Sequence, residues 1–234
     1  DKICAIFGGS RGIGRGVAQL MAQKGYRLAI ISRNLEVAKA TARELGGHHL
    51  AFRCHVAEEQ DVQNTLEELK SGSVKFLVNA AGICRNNLLV LVRAKTEGMI
   101  SLLHNLLGSM LTYKAAVKTR IQPQGGSIVN TGSIIGLKGL SGESACCASK
   151  AGLVGFSRAV TKEVARKKIR VNVVEPGFIH SDMTKQLKED LKKNVPLGRF
   201  GEPTEVAHTV VFLVESPYIT GRVLVMDGGL QLAV

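Results

Sequence analysis

The chain has no tryptophan, and aromatic residues make up only 4% of its 234 positions. Single-stranded nucleic acid is gripped largely by bases stacked on aromatic side chains, so this shortage argues against such a partner. Acids are also scarce: 31 Lys and Arg face 19 Asp and Glu, a net charge of +12. The excess is scattered, with Arg166-Lys167-Lys168 and Lys192-Lys193 as the only short clusters. That pattern reads as a solvated basic surface suited to phosphate-bearing or acidic partners, with no nucleic acid. The five cysteines are odd in number and show no paired zinc-ligand spacing, so neither a disulfide framework nor a metal site is expected. A reducing compartment fits that usage. No apolar run reaches the roughly 18 residues that span a bilayer, so no membrane partner is expected. A strand-like run from Ile3 leaves no room before it for a signal peptide. The expectation is a soluble, unsecreted protein.

What is present is regular alternation. With 45% hydrophobic residues the chain can bury a full core, and its length suits one α/β domain, residues 1–234. Short β-branched runs at Ile3–Phe7, Arg27–Ser32, Leu50–Cys54, Lys75–Asn79, Ser127–Thr131, Ile169–Val174 and Val223–Met226 predict seven strands. Between them, helical patterns cover Gly12–Lys24, Leu35–Leu45, Glu58–Lys70, Thr96–Arg120, Gly142–Arg166 and Pro203–Leu213. This predicts a doubly wound parallel sheet with helices on both faces. Two intervals break the alternation, Ile83–Lys95 and the Lys-rich Gly177–Arg199. Both follow strands and should border a ligand site at the strands' carboxyl ends, the second as a mobile lid.

The first strand runs into Gly8-Gly9-Ser10-Arg11-Gly12-Ile13-Gly14, and a helix begins at once. Glycines allow a tight turn and close approach to a pyrophosphate, while free N–H groups at the helix start attract negative charge. The spacing departs from G-x-G-x-x-G. The second strand ends in Ser32-Arg33-Asn34, with no acid to bind ribose hydroxyls. Arg33 and Arg11 could instead flank a 2′-phosphate, so NADPH is favoured over NADH.

The Gly-x-x-x-Gly-x-Gly turn, Asn79-Ala80-Ala81-Gly82, Pro176-Gly177-Phe178-Ile179-His180-Ser181-Asp182-Met183 and Asp227-Gly228-Gly229 occur in an order that resembles the short-chain dehydrogenase/reductase family over almost the whole chain. The resemblance implies a Rossmann-type fold and a nicotinamide site that also uses Ile13, Gly14, His55, Val56, Lys150, Ile179, Ser181 and Met183. His55 stands where the family usually has Asp. The runs Asn105–Thr112, Ala165–Val174, Pro196–Gly201 and Ser216–Gly221 resemble mitochondrial carbonyl reductases of that family. That nearer likeness implies NADPH-dependent reduction of quinones and of 3-oxoacyl thioesters held on acyl carrier protein. It also implies a homo- or heterotetramer with a related reductase, in the mitochondrial matrix.

By the same resemblance the catalytic set is Asn105 for a proton relay, Ser133 for the substrate carbonyl, a Tyr as proton donor, and Lys150. Position 146, in Cys146-Cys147-Ala148-Ser149-Lys150, holds Cys where the Tyr should be. Cys146 and Lys150 share a helix face, so the ammonium should lower the thiol pKa toward neutrality. A thiol is shorter than a phenol by a whole ring, so direct proton transfer is out of reach and only a bridging water would serve. Tyr113, about 12 Å along the helix from Asn105, is too far to substitute, and Cys147 points elsewhere. Glu175 replaces a small residue before Pro176 and is expected to pair with Lys150 or to crowd the nicotinamide. Two readings stand: a slow reductase using Ser133, Lys150 and a water near Cys146, or a non-catalytic subunit that binds NADPH or assembles with a partner reductase.

Overall fold

A computed structural model describes residues 2–69, 73–84, 97–118, 125–184 and 189–232. Seven strands form one sheet: β1 (Lys2–Phe7), β2 (Arg27–Ser32), β3 (Leu50–Arg53), β4 (Ser73–Asn79), β5 (Gly126–Thr131), β6 (Ile169–Pro176) and β7 (Val223–Met226). Their order is β3-β2-β1-β4-β5-β6-β7, and every pair is parallel. The helices are α1 (Gly12–Gln23), α2 (Leu35–Glu44), α3 (Glu59–Glu68), α4 (Glu97–Leu102), α5 (Gly108–Lys118), α6 (Ile135–Lys138), α7 (Ser144–Val164) and α8 (Pro203–Glu215). Among the described residues no helix is long and apolar enough to cross a membrane.

Strand alternation sorts the core into two layers. In β1, Cys4 and Ile6 pack with Val17 and Met21 of α1 and Val206 and Val210 of α8. Ile3, Ala5 and Phe7 face the other way, toward Val62 and Leu66 of α3 and Val160 and Val164 of α7. A period of two on the strand and about 3.6 on the helix makes this division unavoidable once both sheet faces are covered. On the first face α1 and α8 touch closely at Gly16, where an added Cβ would sit 2.9 Å from the Pro203 carbonyl oxygen. Pro203 opens α8, where its missing N–H costs nothing, and Glu202 and Glu205 complete a capping box.

The strand runs read from sequence all form strands. β6 extends past Val174 because Glu175 and Pro176 pair with Val225 and Met226 of the edge strand. The long helical pattern at 96–120 is less regular than expected. Thr96 and residues 119–120 lie outside the described residues, and a π-turn at Leu103–Leu107 separates α4 from α5. Of the interval Ile83–Lys95, only Ile83 and Cys84 are described. Of the expected lid, 185–188 lie outside the described residues. Its described flanks are bonded to the body, by the His180 N–H to the Gly201 carbonyl at 2.8 Å and the Leu197 N–H to the Gly228 carbonyl at 3.1 Å.

Gly16→Val should force α1 and α8 apart and lower stability by about 1–3 kcal/mol, visible as a lower urea midpoint with an unchanged slope.

Candidate active site

Sheet order reverses between β1 and β4, and the chain leaves both strands there in opposite directions. At their carboxyl ends a cleft of about 590 Å³ opens. Its floor is the Gly-rich turn. Gly8 and Gly12 hold φ of +82° and +52°, which L side chains rarely adopt. A Cβ on Gly8 would lie 2.5 Å from the Ala81 nitrogen, so the β1 and β4 exits touch only because the side chain is missing.

Most of the predicted nucleotide residues line this cleft: Gly8, Ser10, Arg11, Gly12, Ile13, Arg33, Asn34, Val56, Ala80, Ala81, Gly82, Ser181 and Met183. Asn34 has a second task. Its Oδ1 accepts from the Glu36 and Val37 N–H groups and caps α2. The remainder stand behind the lining. Gly14 packs on the Gly8 carbonyl, and Asn79 is buried between Asn130 and Thr112. Pro176 closes β6 against β7, Gly177 donates to the Met226 carbonyl at 2.8 Å, and Ile179 is buried beside Gly201.

His55 is likewise not a lining residue. Its Nε2 lies 3.2 Å from Nε2 of His104, and His104 reaches the cleft. Sequence reasoning missed His104, which sits one residue before Asn105 and carried no signal of its own. It also missed Cys84, although Cys84 follows the Asn-Ala-Ala-Gly turn by only two residues.

The catalytic candidates converge beside Gly82. An added Cβ there would lie 3.2 Å from Asn105 Oδ1 and 3.5 Å from Lys150 Nζ. Asn105 is buried in the π-turn, a device often found at functional sites. Its amide clamps Ile83 from both sides, accepting the Ile83 N–H and donating to the Ile83 carbonyl, each at 2.9 Å. It also donates to Ser149 Oγ at 3.0 Å and toward Cys146 Sγ at 3.8 Å. Lys150 Nζ donates to the Thr131 carbonyl at 2.8 Å. Ser133 follows β5 and its Oγ accepts from the Ile135 N–H at 3.4 Å. Tyr113 is remote from this group, packed edge-on against Phe156, and burial pushes its phenol up to about 12.

One expectation, about sulfur, requires correction. Cys146 is not a free thiol acidified by Lys150. It is joined by a disulfide to Cys84, 62 residues away, with Cα atoms 5.8 Å apart. A bonded sulfur carries no proton, so there is no thiol pKa for the ammonium to lower. Spacing between cysteines could not disclose the pair, because the fold alone brings the β4 exit to α7. Nor is the vicinal Cys147 its partner; that sulfur is free. Ligand atoms of Cys84, Glu143 and Cys146 all fall within 4.8 Å of one another. Sulfurs bonded together are not thiolates, which are the form that ligates metal.

Glu175 pairs with Lys150 through charge, each favouring the ionised form of the other. Its carboxyl is fully buried and accepts the Ser133 N–H, lying where a Cβ on Gly132 would collide with it. Desolvation lifts it to about 7, against the Ser133 N–H and the Lys150 charge. Burial lowers Lys150 to about 8, with the Glu175 charge opposing. A carboxyl and an amine thus titrate within reach of neutrality in one site.

A family model described as Enoyl-(Acyl carrier protein) reductase matches residues 8–231. The chain is 75% identical, over 99% of both sequences, to a Homo sapiens protein called 3-oxoacyl-(acyl-carrier-protein) reductase. It is 60% identical over 99% of both to Carbonyl reductase family member 4 of Xenopus laevis. A Chlamydia muridarum 3-oxoacyl-(acyl-carrier-protein) reductase FabG is 42% identical, over 98% of this chain and 97% of its own.

The raised Glu175 carboxyl means the native state keeps a proton that the unfolded chain releases between about 4.5 and about 7. Stability therefore falls as pH rises through that window. Glu175→Gln should remove this fall, gaining roughly 2–3 kcal/mol on the parent between pH 5 and pH 8, measured by urea unfolding at each pH.

Proposed function

The chain belongs to the short-chain dehydrogenase/reductase family, and from that premise we propose that it is an NADPH-dependent reductase of 3-oxoacyl thioesters and quinones, slowed at proton transfer. Members of this family use nicotinamide cofactors. The observation that carries the choice of NADPH is the arginine pair on the cleft wall, Arg11 in the glycine turn and Arg33 at the β2 exit, where Ser32-Arg33-Asn34 holds no acid. The cleft fits such a cofactor. Two positive-φ glycines keep side chains off its floor, and the start of α1 presents unpaired N–H groups to a pyrophosphate. Gly8, Ser10, Gly12 and Ile13 would hold the phosphates, Arg11 and Arg33 the 2′-phosphate, and Ala80, Ala81 and Gly82 the wall beyond.

When bound, the nicotinamide supplies hydride to the substrate's carbonyl carbon. The chain's own task is to hold and protonate the oxygen. Ser133 Oγ accepts from Ile135, which leaves its O–H to donate to that oxygen. Glu175 fixes the backbone of Ser133, and Gly132 makes room for it. Lys150, at about 8, holds a proton near the operating pH and can pass it through one water. The proton-donor position itself is occupied by a disulfide sulfur. A positioned acid is commonly worth roughly 10²–10⁴-fold, which sets the scale of the slowing.

The same observation favours a second reading, a non-catalytic subunit that binds NADPH and assembles with a related reductase. The proposal extends to a homo- or heterotetramer in the mitochondrial matrix, where a net charge of +12 complements an acidic carrier protein.

Arg33→Ala should weaken NADPH binding by roughly tenfold or more while sparing NADH, as loss of a charged hydrogen bond implies; cofactor fluorescence titration reads both. Cys146→Tyr should raise turnover of a 3-oxoacyl thioester at least about tenfold, within the range a general acid supplies. An unchanged kcat in that variant would turn the assignment toward the subunit reading.

A further inference from the structure

The disulfide joins two unlike sulfurs. Cys146 is 3% exposed, inside α7's packed face. Cys84 is half-buried on the wall of the nucleotide cleft, two residues beyond Gly82. A nucleophile entering the cleft therefore meets the Cys84 side of the bond, and Cys146 is placed to leave. Each end has a polar neighbour. Glu143 Oε2 lies 2.8 Å from Cys84 Sγ, and Asn105 Nδ2 points at Cys146 Sγ from 3.8 Å. The remaining cysteines offer no such arrangement. Cys4 and Cys54 are buried in the two core layers, and burial raises both thiols, Cys54 to about 11.

We propose that Cys84–Cys146 is a thiol–disulfide exchange site facing the nucleotide cleft, reduced by low-molecular-weight thiols and re-formed by the corresponding disulfides, with Cys84 attacked, Cys146 leaving and Glu143 carrying the proton at Cys84. In the reducing direction an external thiolate attacks Cys84 Sγ. The new S–S bond forms as the Cys84–Cys146 bond breaks, and its electron pair goes to Cys146 Sγ, where the Asn105 amide donates to the thiolate. A second external thiolate attacks the outer sulfur of the mixed disulfide and leaves as the small-molecule disulfide. Cys84 departs as a thiolate and takes its proton from Glu143, whose carboxyl burial raises above its ordinary value. Glu143 and Cys146 regain protons from the two external thiols. The balance is one protein disulfide plus two thiols giving two protein thiols plus one small disulfide, a two-electron change that needs no other reagent.

The site bears on catalysis through a clause that rests on the reductase reading. Reduction returns an S–H to the proton-donor position and releases α7 from the chain at Ile83–Cys84. Oxidation removes that proton.

The test is full-length protein equilibrated in glutathione mixtures from fully reduced to fully oxidised, acid-quenched, alkylated and mapped by mass spectrometry. The linked 84–146 peptides should appear and disappear reversibly from both directions. Cys146→Ser should trap a glutathione adduct on Cys84, whereas Cys84→Ser should leave Cys146 largely unadducted. Glu143→Gln should slow reduction at pH 7 by at least about tenfold, as loss of a positioned proton carrier does. Circular dichroism melts of each variant separate an exchange defect from misfolding. A linkage that never forms, or equal adducts in the two serine variants, would overturn the proposal. Failure of the parent protein to bind NADPH would sink the reductase reading and leave the exchange result standing.

Discussion

Everything in the site depends on the contact between the exits of β1 and β4. The two strands pair in parallel, Phe7 beside Asn79, and the Ala80 N–H donates to the Phe7 carbonyl at 2.9 Å. At that point the chain must turn away on both sides within a few ångströms. Only a residue without Cβ fits at Gly8, where any side chain would strike the Ala80–Ala81 backbone. The crevice that results collects the start of α1, the end of β2 and the residues after β4. Those carry the arginines, the glycines and, two residues past Gly82, Cys84.

Behind that crevice the site is held by buried polar groups, of which Thr131 Oγ1 and Glu175 Oε1 have no hydrogen-bond partner. Asn105 spends its amide on Ile83 and Ser149, so the β4 exit and α7 are tied to one residue in a π-turn. Glu175 is the most exacting member. A carboxyl deep in the sheet is expensive to ionise, and this one is offset by the Ser133 N–H and the Lys150 charge. Gly132 is then required beneath it, for lack of any other volume. The carboxyl braces the backbone of Ser133, whose N–H it accepts.

The disulfide changes the meaning of Cys146. Read as a thiol, it is a short and poorly placed acid beside a helpful lysine. Joined to Cys84, it has no proton to give, and it ties the helix that carries Lys150 to the cleft wall. Chemistry at that position then depends on the redox state of two sulfurs more than on the pKa of one.

The periodic parts of this protein were legible without coordinates. Short β-branched runs marked all seven strands, with Arg27–Ser32 and Val223–Met226 matching in full, because a strand covered on both faces is apolar along its length. The glycine turn and the arginines were legible for a similar reason: their chemistry lies in adjacent residues. The π-turn at Asn105, the His55–His104 contact, the seat of Glu175 and the Cys84–Cys146 bond were not. Each joins residues far apart in sequence or depends on one extra residue in a helical turn, to which neither spacing nor propensity is sensitive. By itself the sequence determined the fold and the glycine turn that floors the cleft, since these follow from local pattern. Only the tertiary structure decided which sulfur meets which and where a buried carboxyl turns, since those depend on distances that exist once the sheet has closed.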